Sequence, residues 1–344
     1  MKSPRGRGPV STELLGLLTL EPDPSRDVAP LRERAVSSLR DTPDVLRDAD
    51  LQLALFCLNA LHYDGLEGVD DRWEWHPGLT AVRLEIETAF ERALRERVTA
   101  PPPPVDLTAN SVAAALFDLA ANDPSPGLSR YVAGKATTEQ LLEFMIHRSV
   151  YQLREADPHT WAIPRLNGRA KAALVEIQSD EYGGGRPERM HSTLFADTMR
   201  GLGLDDTYGG YVDCVPAITL ASVNLITLFG LHRRLRGAAV GHLAAFEMTS
   251  SAPNRSYGNG FRRLGHPTLT EYFDEHVEAD AVHEQIAARD LAGGLVEAEP
   301  RLVHDVLFGA AAALRMDGWV TEHVLAAWTT GESSLERTVL AAAS

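Results

Sequence analysis

Cysteine is almost missing: Cys57 and Cys214 are the only two in 344 residues. That excludes a disulfide framework and a thiolate zinc pattern, and makes a reducing, cytoplasmic setting the expectation. Positive charge is short as well. The 33 Lys and Arg against 48 Asp and Glu leave a formal net charge of −15, which excludes a protein whose main work is gripping nucleic-acid phosphates. Long apolar runs are lacking too. The longest uncharged stretch, residues 214–232, contains Pro216, Ser222 and Asn224, so it reads as a buried helix and no membrane span is expected. Pro4 and Pro9 interrupt the basic start and no apolar segment follows, so no targeting signal is expected either. Strand-like alternation is scarce, and no GxGxxG loop sits between a strand and a helix.

What is present is helix, in a chain that is 44% apolar and long enough to bury a substantial core. Ala, Leu, Glu and Arg dominate the periodic stretches, which predicts an all-α fold. The first thirty or so residues, rich in Pro, Gly and Arg, read as frayed. Helices are expected over 28–39, 43–63 (capped by Thr42, with Pro43 at its first position) and 79–98. The tetraproline Pro101-Pro102-Pro103-Pro104 cannot continue a helix. It sets the expected boundary between an N-terminal helical region, 1–105, and a main domain, 106–344. Within the latter, helices are expected over 111–121, 137–157, 168–181, 187–201, 216–236, 238–250, 268–288 and 296–315, with a last one after Trp319. Gly183-Gly184-Gly185 and Pro253 serve as stop signals.

Histidine occurs 12 times, and four stretches combine it with acid or place acid in apolar surroundings. The sharpest is His276-x-x-x-Asp280-x-x-His283 in YFDEHVEADAVHE. At 100° per residue the three fall within an arc of about 60° on one helical face. Two imidazoles and a carboxylate so placed suit iron or manganese. The neighbouring Glu275, Glu278 and Glu284 equally suit a polar surface stripe. In EIQSDEYGGGRPERMHSTLF, His191 follows Glu181 across the glycine break and follows Glu188 by three positions. Glu-x-x-His is half of a carboxylate-bridged diiron signature, and packing beside Leu194 and Phe195 is the alternative for His191. Glu155 in YQLREADPHTW reads as solvated beside Arg154. Glu247 lies in the uncharged GHLAAFEMTS, where burial calls for a cation or donor.

Taken in order, the Glu of LREADPHTWAIPRL, the DEYGGG…H block, a mid-helix Glu and HxxxDxxH resemble the haem-oxygenase-like diiron oxidase and oxygenase superfamily, most closely its N-oxygenating members. The resemblance covers about residues 110–290. It implies a haem-oxygenase-like helical bundle and a metal set of Glu155, Glu181, His191, Glu247, His276, Asp280 and His283, with Glu188 as the alternative to Glu181. Four carboxylates then balance two ferrous ions, so the site can be buried. It further implies two Fe(II)/Fe(III) ions, O2 as co-substrate, an external electron donor, and a small amine, guanidine or amino-heterocycle oxidised on nitrogen in natural-product biosynthesis. C–C cleavage or decarboxylation of an amino or fatty acid is the alternative within the family, and a metal-free helical binding protein the alternative outside it. Tyr182, adjoining a proposed ligand, is the candidate catalytic side chain. Asn259, Arg262 and Arg263 are candidates for substrate contact. The N-terminal region is expected to support a homodimer.

Overall fold

The computed structural model describes residues 1–23 and 25–337, with the side chains of all but residues 278–281. Its elements in order are α1 (Pro9–Leu18), α2 (Ala29–Asp41), α3 (Ala49–Ala60), α4 (Pro77–Arg97), α5 (Ala109–Ala121), α6 (Leu128–Gly134), α7 (Thr138–Gln152), α8 (Asp157–Thr160), α9 (Gly168–Glu181), α10 (His191–Gly201), α11 (Ala217–Leu231), α12 (Arg236–Arg263), α13 (Glu271–Gln285), α14 (Gly294–Ala298) and α15 (Val303–Thr330), with short 3₁₀ turns between. The fold is all-α, with no strand among the described residues. No helix is long and apolar enough to cross a membrane among the described residues. The chain divides into two compact units. One comprises Met1–Arg97, Thr207–Leu225 and the chain from Leu335; the other comprises Val98–Asp206 and Ile226–Ser334.

In the first unit the chain is ordered earlier than its composition suggests. α1 starts at Pro9 because Asp50, distant in sequence, accepts hydrogen bonds from the free N–H groups of Val10 and Ser11 at 2.8 and 2.7 Å. Helix N-termini leave such donors over, and a carboxylate also complements the helix dipole. α3 begins at Ala49, later than Thr42 and Pro43 signal. Asp48 caps it, accepting from Asp50 and Leu51, while residues 45–47 form a separate 3₁₀ turn capped by Asp44. Gln52 and Asn59 on α3 hydrogen-bond the buried Asn224, which satisfies amides that would otherwise be costly to bury.

The second unit is built around α12 and α15, each of 28 residues. They cross closely at glycine: a Cβ at Gly241 would lie 1.9 Å from the Val306 carbonyl oxygen, and one at Gly309 would lie 2.1 Å from that of Ala238. α12 runs through Pro253 and does not end there. The proline ring only deprives the Thr249 carbonyl of its donor one turn back. Likewise α15 is continuous from Val303 to Thr330, joining the two segments expected on either side of Trp319. Beyond α13 the chain widens into a π-helical stretch, Ile286–Gly293. Such stretches recur beside functional sites.

Candidate metal centre

Five separate elements of the second unit bring ionisable side chains to one place. α7 stops at Gln152, short of the expected 157, and the chain turns at Ala156, which adopts φ 75°. This left-handed conformation is costly for a residue with a Cβ. It is held by hydrogen bonds to the Ala156 carbonyl, including one from Gln178 at 2.9 Å. The turn sets the direction of Glu155. Glu181 is the last residue of α9, and Gly183, Gly184 and Gly185 all take positive φ, reversing the chain within three residues. A Cβ at Gly183 would lie 2.7 Å from backbone atoms of Arg189 and Met190, so only glycine fits this turn. It delivers His191 as the first residue of α10, facing back to Glu181. Glu247 comes from α12, and His276 and His283 from α13, two turns apart.

The donor atoms form two groups, each within a 4.8 Å span: Glu155, Glu181, His191 and His276, and Glu181, Glu247 and His283. Glu181 belongs to both. All are buried except Glu155, whose side chain is 11% exposed. His191 Nδ1 approaches Glu181 Oε2 at 2.9 Å, and His283 Nδ1 approaches Glu247 Oε2 at 3.5 Å. Yet Glu181 Oε2, His191 Nδ1 and His283 Nδ1 have no aligned hydrogen-bond partner. Buried polar atoms left in this way are rare. A cavity of 40 Å³ lies among Glu155, Glu181, Glu247 and His276.

Two imidazoles are held from behind. His276 Nδ1 lies 2.8 Å from the Tyr272 carbonyl, which can only accept, so Nδ1 carries the proton and Nε2 presents its lone pair 3.7 Å from Glu155. His283 Nε2 donates to Asp180 at 2.9 Å, leaving Nδ1 for the centre. Metal-bound histidines are typically fixed by this arrangement. Charge in the cluster is correspondingly skewed. Burial pushes the Glu181 carboxyl up, but His191, His276 and His283 outweigh it and hold its pKa below the usual range. Burial, with Glu181 adding repulsion, raises that of Glu247 despite His283. Burial would lower His283, but Glu247 and Asp180 lift it to about 9. The carboxylates thus draw positive charge inwards. Oxygen and nitrogen donors, no sulfur, room for ions and unpartnered lone pairs all fit iron.

Other sequence candidates lie elsewhere. Glu188 is exposed on the 3₁₀ turn Pro187–Arg189, off the helix that carries His191. The Tyr182 hydroxyl bonds Asp157 at 2.8 Å and Thr160 at 2.9 Å and supplies no donor atom to the cluster. Asn259 is exposed. Arg262 pairs with Asp274, and Arg263 donates to the carbonyls of Val132, Ala133 and Ala136. The Asp280 side chain falls outside the described residues. Tyr272 escaped the sequence reading. Its hydroxyl donates to both oxygens of Glu155 at 2.9 and 2.8 Å, and the only hint of it was its place one turn before His276.

A larger cavity of 240 Å³ begins at Glu155 and Tyr272 and is walled by Phe144, Phe195, Phe246 and Tyr257. Concave, aromatic-lined spaces with a few polar groups are the usual form of small-molecule sites.

A family model described as iron-containing redox enzyme matches residues 142–318, just over half of the chain and all six described members of the cluster. The chain is 27% identical over 195 residues to the nitrosourea synthase of Streptomyces achromogenes subsp. streptozoticus, a stretch covering 56% of this chain and 41% of the synthase. This chain therefore spans well under half the length of that relative. A solved structure of a CADD-like protein of unknown function from Nostoc punctiforme aligns with a TM-score of 0.48 at 18% identity, over 61% of this chain and 94% of the other. With a buried cluster of iron-compatible ligands and a family match over the helices that supply them, the chain belongs to the haem-oxygenase-like iron-containing redox enzyme family.

Proposed function

We propose that the chain is a non-haem diiron oxygenase that uses O2 to oxidise nitrogen in a small amine, guanidine or amino-heterocycle. The observation that carries this reading is the overlap of two ligand groups at Glu181, beside an aromatic-walled cavity. One iron would be held by Glu155, Glu181, His191 and His276, and the other by Glu181, Glu247 and His283, with Asp280 assigned to the set by its position in HxxxDxxH. Bound iron supplies oxygen activation and the electrons stored in its ferrous form. The protein does the rest. Tyr272 fixes the Glu155 carboxylate with its hydroxyl and the His276 ring with its carbonyl. Burial, reinforced by Glu155, pushes the Tyr272 phenol well above its usual range, so it remains a donor. Phe246, which borders both the larger cavity and the space among the ligands, excludes water where the two meet. Similarity to nitrosourea synthase over part of that enzyme supports nitrogen as the atom oxidised. Further electrons come from an external donor.

The test is anaerobic loading with Fe(II), elemental analysis, then exposure to O2 with candidate amines and mass spectrometry of the products. The expected result is about two irons per chain and a product with oxygen on nitrogen and its carbon skeleton intact. Iron well below one per chain, unaffected by His276→Ala and His283→Ala, overturns the diiron reading. Loss of a carbon fragment replaces nitrogen oxidation with C–C cleavage.

A further inference from the structure

Phe144, Arg148, Tyr151, Gln152 and Glu155 all border the 240 Å³ cavity. Their spacing of four, three, one and three residues places them along one face of α7 and its continuation. Arg148 stands one turn before Gln152 and seven residues before Glu155, so Arg148 and Glu155 meet the cavity at separate points along its wall. Its guanidinium carbon is 5.7 Å from the Phe144 ring centroid and 5.8 Å from that of Tyr257. These rings orient the group without consuming its N–H donors. Its polar contacts are loose and both fall to Nη2: the Tyr257 hydroxyl at 3.4 Å and Asp317 at 3.6 Å, the latter half-exposed. Among the described residues no other hydrogen bond or ion pair reaches this guanidinium. One turn on, the amide oxygen of Gln152 is buried at the cavity wall with no hydrogen-bond partner. Arg262, by contrast, is already matched to Asp274 by contacts of 2.8 and 2.5 Å.

We propose that Arg148 is the residue that selects the substrate: it binds a carboxylate at the far end of the cavity, and the molecule extends along α7 to present its reactive nitrogen at Glu155. This rests on the oxygenase reading of the centre. A planar carboxylate matches the guanidinium fork with two parallel hydrogen bonds. A monoanion is favoured over a phosphate dianion, because Asp317 stands close enough to repel a second charge. Gln152 accepts a hydrogen bond from the body of the ligand. The substrate class is accordingly a small amino-carboxylic acid with its carboxylate and its reactive nitrogen at opposite ends of the molecule.

The experiment is calorimetric titration of the full chain, iron-loaded and metal-free, with the straight-chain series from 4-aminobutanoate to 10-aminodecanoate and the matching carboxamides. The expected result is a preferred length whose acid binds at least about tenfold tighter than its amide. Arg148→Gln abolishes that ratio, and Arg148→Lys keeps part of it, with cooperative thermal unfolding and iron content retained in both variants. No acid preference at any length, or a preference that survives Arg148→Gln, overturns the proposal. Iron content on the same samples separates the two claims. A chain that takes up no iron fails the oxygenase reading, while the acid-to-amide ratio of the metal-free chain judges Arg148 independently.

Discussion

Glu181 stands in both ligand groups, so its loss should cost more than that of any other carboxylate. Glu181→Gln preserves volume and removes the charge. The expected outcome is a fall from about two irons per chain to less than one after anaerobic loading, measured by elemental analysis. Glu247→Gln, which touches one group only, should retain about one, and Glu188→Gln, on an exposed turn, should retain both. Asp180 gives a subtler test. Its side chain is 60% exposed, so Asp180→Ala should leave the fold intact. It strips His283 of the acceptor that fixes its proton on Nε2, and iron affinity should drop about 10- to 100-fold in competition with a chelator. Sequence spacing exposed His276 and His283 because one helix carries both. It left Glu181 and Glu188 open, since a glycine turn separates them from each other in space while hardly separating them along the chain. Asp180 was hidden for a different reason: its partner lies 103 positions away, and no local pattern encodes that pairing.

Among the elements, the triple-glycine turn does the most to assemble the centre. At Gly184 φ is 60° with open space where a Cβ would go; at Gly183 φ is 67° and a Cβ would strike the backbone of Arg189 and Met190. Gly184→Ala therefore pays only the left-handed cost, about 1–2 kcal/mol, and should lower the melting temperature while keeping its iron. Gly183→Ala must also displace the backbone just before His191. It should lose iron as well as stability, and equal iron content in the two variants would refute this account of the turn. The same turn was legible as a stop signal, because glycine punctuates chains whatever their tertiary surroundings. Pro253 misled for the complementary reason. A proline removes one hydrogen bond, but packing along the remainder of a 28-residue helix outweighs it, and burial of that kind leaves no local mark in sequence. Asp48 likewise displaced Thr42 as the determinant of where α3 starts, with Asp44 capping a separate turn before it, so three candidate caps compete within seven residues.

Across the whole molecule, composition announced helix, and helix is what forms. The grouping of Thr207–Leu225 with the N-terminal segment had no compositional cue, because the apolar run through α11 reads alike wherever it packs. Composition also supplied 12 histidines, and those outside the centre dictate how the molecule responds to acid. His147 is the clearest. Burial, with His323 nearby, outweighs the opposing pull of Glu143 and lowers its pKa from 6.5 to about 3. Below pH 6.5 the unfolded chain therefore binds a proton that the folded chain refuses, until the pH approaches 3. The stability held above pH 6.5 is lost as pH falls through that window, by about 1.4 kcal/mol per unit, or about 2 kcal/mol at pH 5. Acid also protonates surface carboxylates and relieves repulsion in a chain of net charge −15, which acts in the opposite direction. Comparing His147→Gln with the unsubstituted protein cancels that shared contribution, and using metal-free protein removes any effect of iron release. Urea unfolding at pH 7.5 and pH 5 should show the variant losing about 2 kcal/mol less than the parent. Equal losses would mean that the His147 ring takes up its proton in the folded state as readily as in the unfolded one.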